Sequence, residues 1–150
     1  MKAVQAVRPE EICLVEVEKP KLGSATSVII KVKAAGICGS DIHILHGRNP
    51  YATYPRIMGH EVAGVIEEVG EQVTKYKVGD RVVVEPILYC GSCYPCRIGR
   101  QNVCENLIVY GVHVDGGFAE YMNVEERALH RLPDEISFLQ GALVEPYTIG

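Results

Sequence analysis

The sequence has no basic excess. Its 15 Lys and Arg against 19 Asp and Glu leave a net charge of −4, which excludes a chain built to attract nucleic acid or an anionic membrane surface. Long hydrophobic runs are also missing; stretches such as Val28–Ile30 and Val82–Val84 are far too short to span a bilayer. The opening Met1–Val7 lacks an apolar signal region and a cleavage-site pattern, so the expected address is cytoplasmic. There is no repeat, no low-complexity tract, and no Gly-x-Gly-x-x-Gly phosphate-binding turn after a strand. What is present is an ordinary globular composition, 47% hydrophobic and 23% charged over 150 residues, enough for one domain with a core. It also holds 6 cysteines, which in a reducing cytoplasm read as metal ligands or catalytic groups before disulfides.

The organisation is mainly β. Ala3–Val7, Ile12–Val17, Val28–Ala34, His60–Val69 and Arg81–Val84 alternate or run apolar with β-branched residues, and Lys19–Gly23, Gly70 and Gly79-Asp80 punctuate them. Phe118–Val124 and Ala128–Leu132 read as a closing pair of strands. Helix is expected only after Ser40 and from Ser137 towards Leu143. Gly47–Gly59 is a polar loop, and Cys90–Asn106 has almost no apolar periodicity. The expected architecture is a barrel or sandwich carrying a separate cysteine-rich lobe at about 88–108, within one domain over 1–150. The apolar ending Leu143–Gly150 reads as a cut at a domain boundary, in preference to a terminal helix on the barrel.

Cys90-x2-Cys93-x2-Cys96-x7-Cys104 supplies four thiolates within a short loop, and Gly91, Pro95 and Gly99 permit its sharp turns. Tetrahedral zinc takes four soft donors about 2.3 Å away, and short Cys-x-x-Cys turns aim them at one point. Four thiolates close the coordination sphere, so this site is structural. Arg97 and Arg100 are too few to make the lobe a nucleic-acid ribbon. Cys13 reads as a small core residue in a strand.

A second constellation lies in Cys38-Gly39-Ser40-Asp41-Ile42-His43 and Gly59-His60-Glu61. Neither segment alone makes a metal site. The longer string Gly59-His60-Glu61-x2-Gly64-x5-Gly70-x2-Val73 resembles the signature of the zinc-dependent alcohol dehydrogenases of the medium-chain dehydrogenase/reductase superfamily. Gly36–Asp41, Val78–Val82, the cysteine lobe and Gly116–Tyr121 resemble further segments of that family, in the same order. Leu143-Val144-Glu145-Pro146 is similar to a ligand segment of its polyol and sugar-acid branch.

The resemblance implies a GroES-like, partly open β-barrel, with the family's Rossmann domain absent from this chain. It implies one catalytic and one structural zinc, and NAD or NADP held mainly by that other domain. Cys38 and His60 would bind the catalytic zinc with a carboxylate, leaving a neutral site with one open position for a substrate hydroxyl. Hydride would then pass from the substrate to the nicotinamide. Ser40 would accept the alcohol proton and His43 pass it outward; Asp41 would fix the tautomer of His60. Simple helix capping is the other reading of Ser40 and Asp41.

Two carboxylates compete for the third position. Consecutive strand residues face opposite ways, so Glu61 is expected to stand behind or exchange at the metal. Glu145, presented from extended backbone before Pro146, is expected as the resting ligand. His46, His113 and His130 have no motif support, while Tyr51, Tyr54 and Tyr110 are candidates to line a substrate pocket.

The expected function is the catalytic part of a zinc-dependent, NAD(P)-linked dehydrogenase of a polyol, sugar acid or similar secondary alcohol, homo-oligomeric at full length. A threonine dehydrogenase-like activity is the nearest rival. A GroES-like module with only structural zinc is the non-catalytic alternative, and it would have no need of Cys38 with His60 and a carboxylate.

Overall fold

β-Branched runs dictate strands wherever they occur, and a computed structural model, which describes residues 1–149, arranges them in three sheets. β1 (Lys2–Arg8), β2 (Glu11–Glu16) and β4 (Arg56–Ile57) form a three-stranded sheet in the order β2-β1-β4. β3 (Ser27–Gly36), β5 (Glu61–Val69), β6 (Arg81–Val84), β9 (Tyr121–Glu125) and β10 (Leu129–Arg131) form a five-stranded sheet in the order β10-β6-β5-β3-β9. The short β7 (Ile87–Leu88) and β8 (Ile108–Val109) pair with each other at the base of the cysteine loop.

Burial on both faces explains the unbroken apolar runs. Val82 and Val84 join Val28, Ile30, Val62, Ile66, Met122 and Val124 in one cluster. Val83 points the other way, with Ala63, Leu132 and Ala142. Ala142 belongs to α3 (Phe138–Ala142), which covers that second face. Helix α3 starts at Ser137, whose Oγ accepts from the Gln140 N–H at 3.3 Å while Gln140 Oε1 accepts from the Ser137 N–H at 2.9 Å, a capping box.

Three expectations need correction. The two segments read as a closing pair do not meet: β9 and β10 are the opposite edges of the five-stranded sheet. The first half of Phe118–Val124 pairs instead with β1, through an Ala3–Ala119 bridge and a Val4 N–H bond to the Phe118 carbonyl at 2.7 Å. Its second half pairs with β3, so one stretch joins the two larger sheets without closing them. Cys13 is only half-buried on edge strand β2, between exposed Ile12 and Leu14. Residues 144–147 are helical, not extended: they form α4 (Val144–Tyr147), with Pro146 inside it. The remaining α-helices are α1 (Gly39–Leu45) and α2 (Tyr94–Arg97), and short 3-10 helices lie at Gln101–Val103 and Glu126–Ala128. No described helix is long and apolar enough to cross a membrane.

Candidate metal centre

The ends of two neighbouring strands build the site. β3 and β5 run antiparallel, and irregularities at Ile29/Ile30 and Val32/Ala34 reset their register so that Gly36 stands opposite Glu61. The chain leaves β3 at Gly36, and two residues later Cys38 caps helix α1. It enters β5 just after Gly59 and His60. Gly59 has φ +90°, a left-handed conformation, and a Cβ there would lie 2.4 Å from the Phe118 ring. Only glycine fits both constraints.

The ligand atoms of Cys38, His60 and Glu61 all lie within 4.8 Å of one another. His60 precedes the regular strand, so the strict alternation that would separate it from Glu61 does not apply. The structure therefore brings Glu61, rather than Glu145, into the group with Cys38 and His60. Glu145 lies near enough to feel both His60 and Glu61, and burial holds its carboxyl above the ordinary range. It lines a cavity of about 300 Å³ with Val62, Val84 and Gly141.

Asp41 ties the two segments together. Its carboxylate, only 1% exposed, accepts the Cys38 N–H at 2.9 Å and the Gly59 N–H at 3.2 Å. The same carboxylate stands 3.7 Å from His60 Nδ1, which is buried and has no hydrogen-bond partner among the described residues. Both readings of Asp41 thus meet in one side chain: it caps α1 from the N3 position and it faces the imidazole. Ser40 Oγ lies 3.5 Å from His60 Nε2. His43 is on the same helix, one turn on, and exposed.

These residues fit a cation. Glu61 is 7% exposed and lies in the ligand group, where the buried polar atom left without a partner is His60 Nδ1. A carboxylate this far removed from water is costly to ionise unless a positive charge compensates it. One thiol, one imidazole and one carboxylate are a borderline-soft donor set that suits zinc and leaves a position free. With Nε2 turned to the metal, the orphaned Nδ1–H would point at Asp41.

The cysteine lobe is a separate, closed group. Its Sγ atoms lie 3.4 Å (Cys93–Cys96), 3.8 Å (Cys93–Cys104) and 4.0 Å (Cys90–Cys96) apart. A tetrahedron with metal–sulfur bonds of about 2.3 Å has edges of about 3.8 Å, whereas a disulfide is near 2.05 Å. The N–H groups of Cys93, Cys90 and Asn106 point at sulfur, the first to Cys90 Sγ at 3.3 Å and the others to Cys104 Sγ at 3.2 and 3.3 Å. The Cys93 and Ser92 donors lower the Cys90 thiol to about 5, while burial and its sulfur neighbours push Cys96 up to about 12. A bound cation would take all four as thiolates and displace their protons.

The histidines without motif support and the three tyrosines make other contacts. His46 pairs with Glu10 at 2.8 Å and His130 with Glu85 at 3.0 Å, while His113 Nδ1 accepts the Val109 N–H. Tyr110 is a core residue whose hydroxyl accepts the Glu125 N–H, and Tyr54 donates to the Ile44 carbonyl. Tyr51 is exposed and stacks loosely by His113, beside Cys104 and Glu105 of the lobe. Sequence reasoning missed Gly36, although it stood inside the Gly36–Asp41 motif.

Comparison with known proteins agrees with this fold. The alcohol dehydrogenase GroES-like domain matches residues 24–134. The chain belongs to this family. The starvation-sensing protein RspB of Escherichia coli K12 is 49% identical over 149 residues, which are 99% of this chain and 44% of that protein. The L-galactonate-5-dehydrogenase of the same organism is 41% identical over 95% of this chain and 41% of its own length. Among solved structures, rspB of Escherichia coli CFT073, an alcohol dehydrogenase complexed with NADH, superposes with a TM-score of 0.92 at 48% identity, covering 99% of this chain and 43% of that one. Galactitol-1-phosphate dehydrogenase from Escherichia coli gives 0.94 at 33% identity, again over 99% and 43%. The chain thus spans less than half the length of these relatives.

Proposed function

We propose that this chain is the catalytic-domain portion of a zinc-dependent, NAD(P)-linked dehydrogenase that oxidises a secondary hydroxyl of a polyol or sugar acid. The observation that carries this reading is the buried convergence of Cys38, His60 and Glu61, distinct from the closed four-cysteine lobe. A purely structural module would need the lobe alone. The substrate class rests on relatives such as L-galactonate-5-dehydrogenase.

Cys38, His60 and Glu61 hold the catalytic zinc. When bound, zinc supplies Lewis acidity that makes the substrate hydroxyl a stronger acid. Asp41 keeps the two ligand segments at fixed separation and orients His60 through Nδ1. Ser40, beside His60 Nε2, is placed to accept the hydroxyl proton, and exposed His43 carries it to solvent. Glu145 supplies a second carboxylate next to the ligand group.

The test is oxidation of galactonate, polyols and threonine by the metal-loaded full-length enzyme with NAD or NADP. A sugar acid or polyol should be the preferred substrate. Ser40→Ala should lower turnover about 10²–10⁴-fold, and His43→Ala less, because solvent partly replaces an exposed relay. An enzyme that holds a single metal per chain and oxidises none of these alcohols would overturn the reading.

A further inference from the structure

Glycine at position 36 has no backbone reason to be glycine. It is not among the positive-φ glycines of the chain, so any residue could adopt its backbone conformation. The atoms nearest to where its Cβ would stand all belong to one side chain: Glu61 Oε2 at 2.0 Å, Glu61 Cβ at 3.1 Å and Glu61 Cδ at 3.1 Å. Directly paired residues of an antiparallel ladder share a face, and Gly36 is the register partner of Glu61. The carboxylate that reaches towards Cys38 and His60 therefore occupies the volume of the side chain that position 36 lacks.

We infer that Gly36 is a positioning residue for the metal centre: the missing Cβ seats the Glu61 carboxylate beside Cys38 and His60. This rests on the proposed catalytic metal site and adds what selects its third ligand. A methyl group at 36 would fall on Glu61 Oε2, the far end of a flexible side chain. The strand can therefore keep its fold while the carboxylate swings away. The site would then hold Cys38 and His60 without Glu61. Gly64 contrasts with this, since a Cβ there would lie 2.5 Å from the Lys31 carbonyl oxygen, which is backbone and cannot move aside alone.

The experiment uses the full-length protein and its Gly36→Ala, Glu61→Ala and double variants, titrated with Zn²⁺ or Co²⁺ alone. Metal content, affinity and the cobalt ligand-field spectrum are measured. The parent should bind two metals per chain. Gly36→Ala should keep the lobe metal, bind the second about 10–100-fold more weakly, and show a changed cobalt spectrum. In the Glu61→Ala background, where nothing is left to displace, Gly36→Ala should have no further effect. Unchanged affinity and spectrum in Gly36→Ala, or an equal loss in both backgrounds, would overturn the inference while leaving the metal site standing. A parent holding one metal per chain would sink the proposed function and this inference together. If Gly36→Ala alone fails to fold, the double variant decides. Recovery of the Glu61→Ala melting temperature supports the collision, and failure of both overturns it.

Discussion

At the residue scale, Asp41 has the greatest structural leverage in the site. A buried carboxylate that accepts two backbone N–H groups from separate segments has no equivalent in its amide, because one amide nitrogen would face an N–H. Asp41→Asn is expected to destabilise the fold by about 1–3 kcal/mol and to weaken the second metal site while sparing the lobe. Denaturant unfolding together with metal content checks this; unchanged values for both would remove Asp41 from the site's support. The donor groups that the fold brings together were legible in the sequence, since Cys38, His60 and the four lobe cysteines stand in spaced motifs. The facing of Glu61 was not. Strand alternation applies only inside a regular strand, and Gly59, with its positive φ, releases His60 from it. The part played by Gly36 is invisible without coordinates, because a seat for a side chain is defined by a neighbour 25 positions later in the chain.

At the scale of elements, strand positions were readable from β-branched runs, but strand partners were not. Phe118–Val124 and Ala128–Leu132 are adjacent in sequence, yet β9 pairs with β3 and β10 with β6. Pairing depends on long-range register that local composition does not encode. Two-residue strands such as β4, β7 and β8 are equally silent, being too short to show a period. The turn before β6 is explicit in both sequence and structure. Asp80 accepts the Lys77 N–H at 3.0 Å and pairs with Arg131 at 3.0 Å; although its burial acts the other way, these contacts hold its carboxyl below the usual value. A depressed carboxylate contributes stability that is present above its unfolded pKa and lost as pH falls through the folded one. The parent should thus lose stability below about pH 4 more steeply than Asp80→Asn. Equal pH slopes in urea unfolding would show that the turn carries no such linkage.

The lobe is a second element whose stability is chemical more than hydrophobic. Only Cys96 and Cys104 of the lobe loop are buried, and Tyr94, Ile98 and Val103 are exposed, so little apolar area holds the loop in shape. Four sulfurs at tetrahedral-edge separations supply what packing does not. Cys104→Ser should remove one zinc equivalent and lower the melting temperature, since metal binding free energy here is folding free energy. It should leave Cys38, His60 and Glu61 able to take up their own metal. Parent-like zinc content in Cys104→Ser would refute the four-cysteine assignment.

At the scale of the whole molecule, the candidate ligands and the proposed proton carriers sit on one partly open barrel, while no turn for a dinucleotide phosphate exists among the described residues. The relatives of known structure reach more than twice this length, and rspB of Escherichia coli CFT073 was solved with NADH. Hydride transfer needs a nicotinamide held against the substrate carbon, and the described residues supply no dinucleotide turn for that task. Residues 1–150 expressed alone are therefore expected to take up metal at both cysteine-containing sites yet show no nicotinamide-dependent oxidation above background. Metal analysis and NADH fluorescence titration separate the two halves of this expectation. Loss of the second metal in the short form, with retention in the full-length enzyme, would show that the site needs support from beyond the barrel. Saturable NADH binding with turnover by residues 1–150 would show that the barrel carries a cofactor site of its own, and a division of labour between the barrel and a separate cofactor domain would fall.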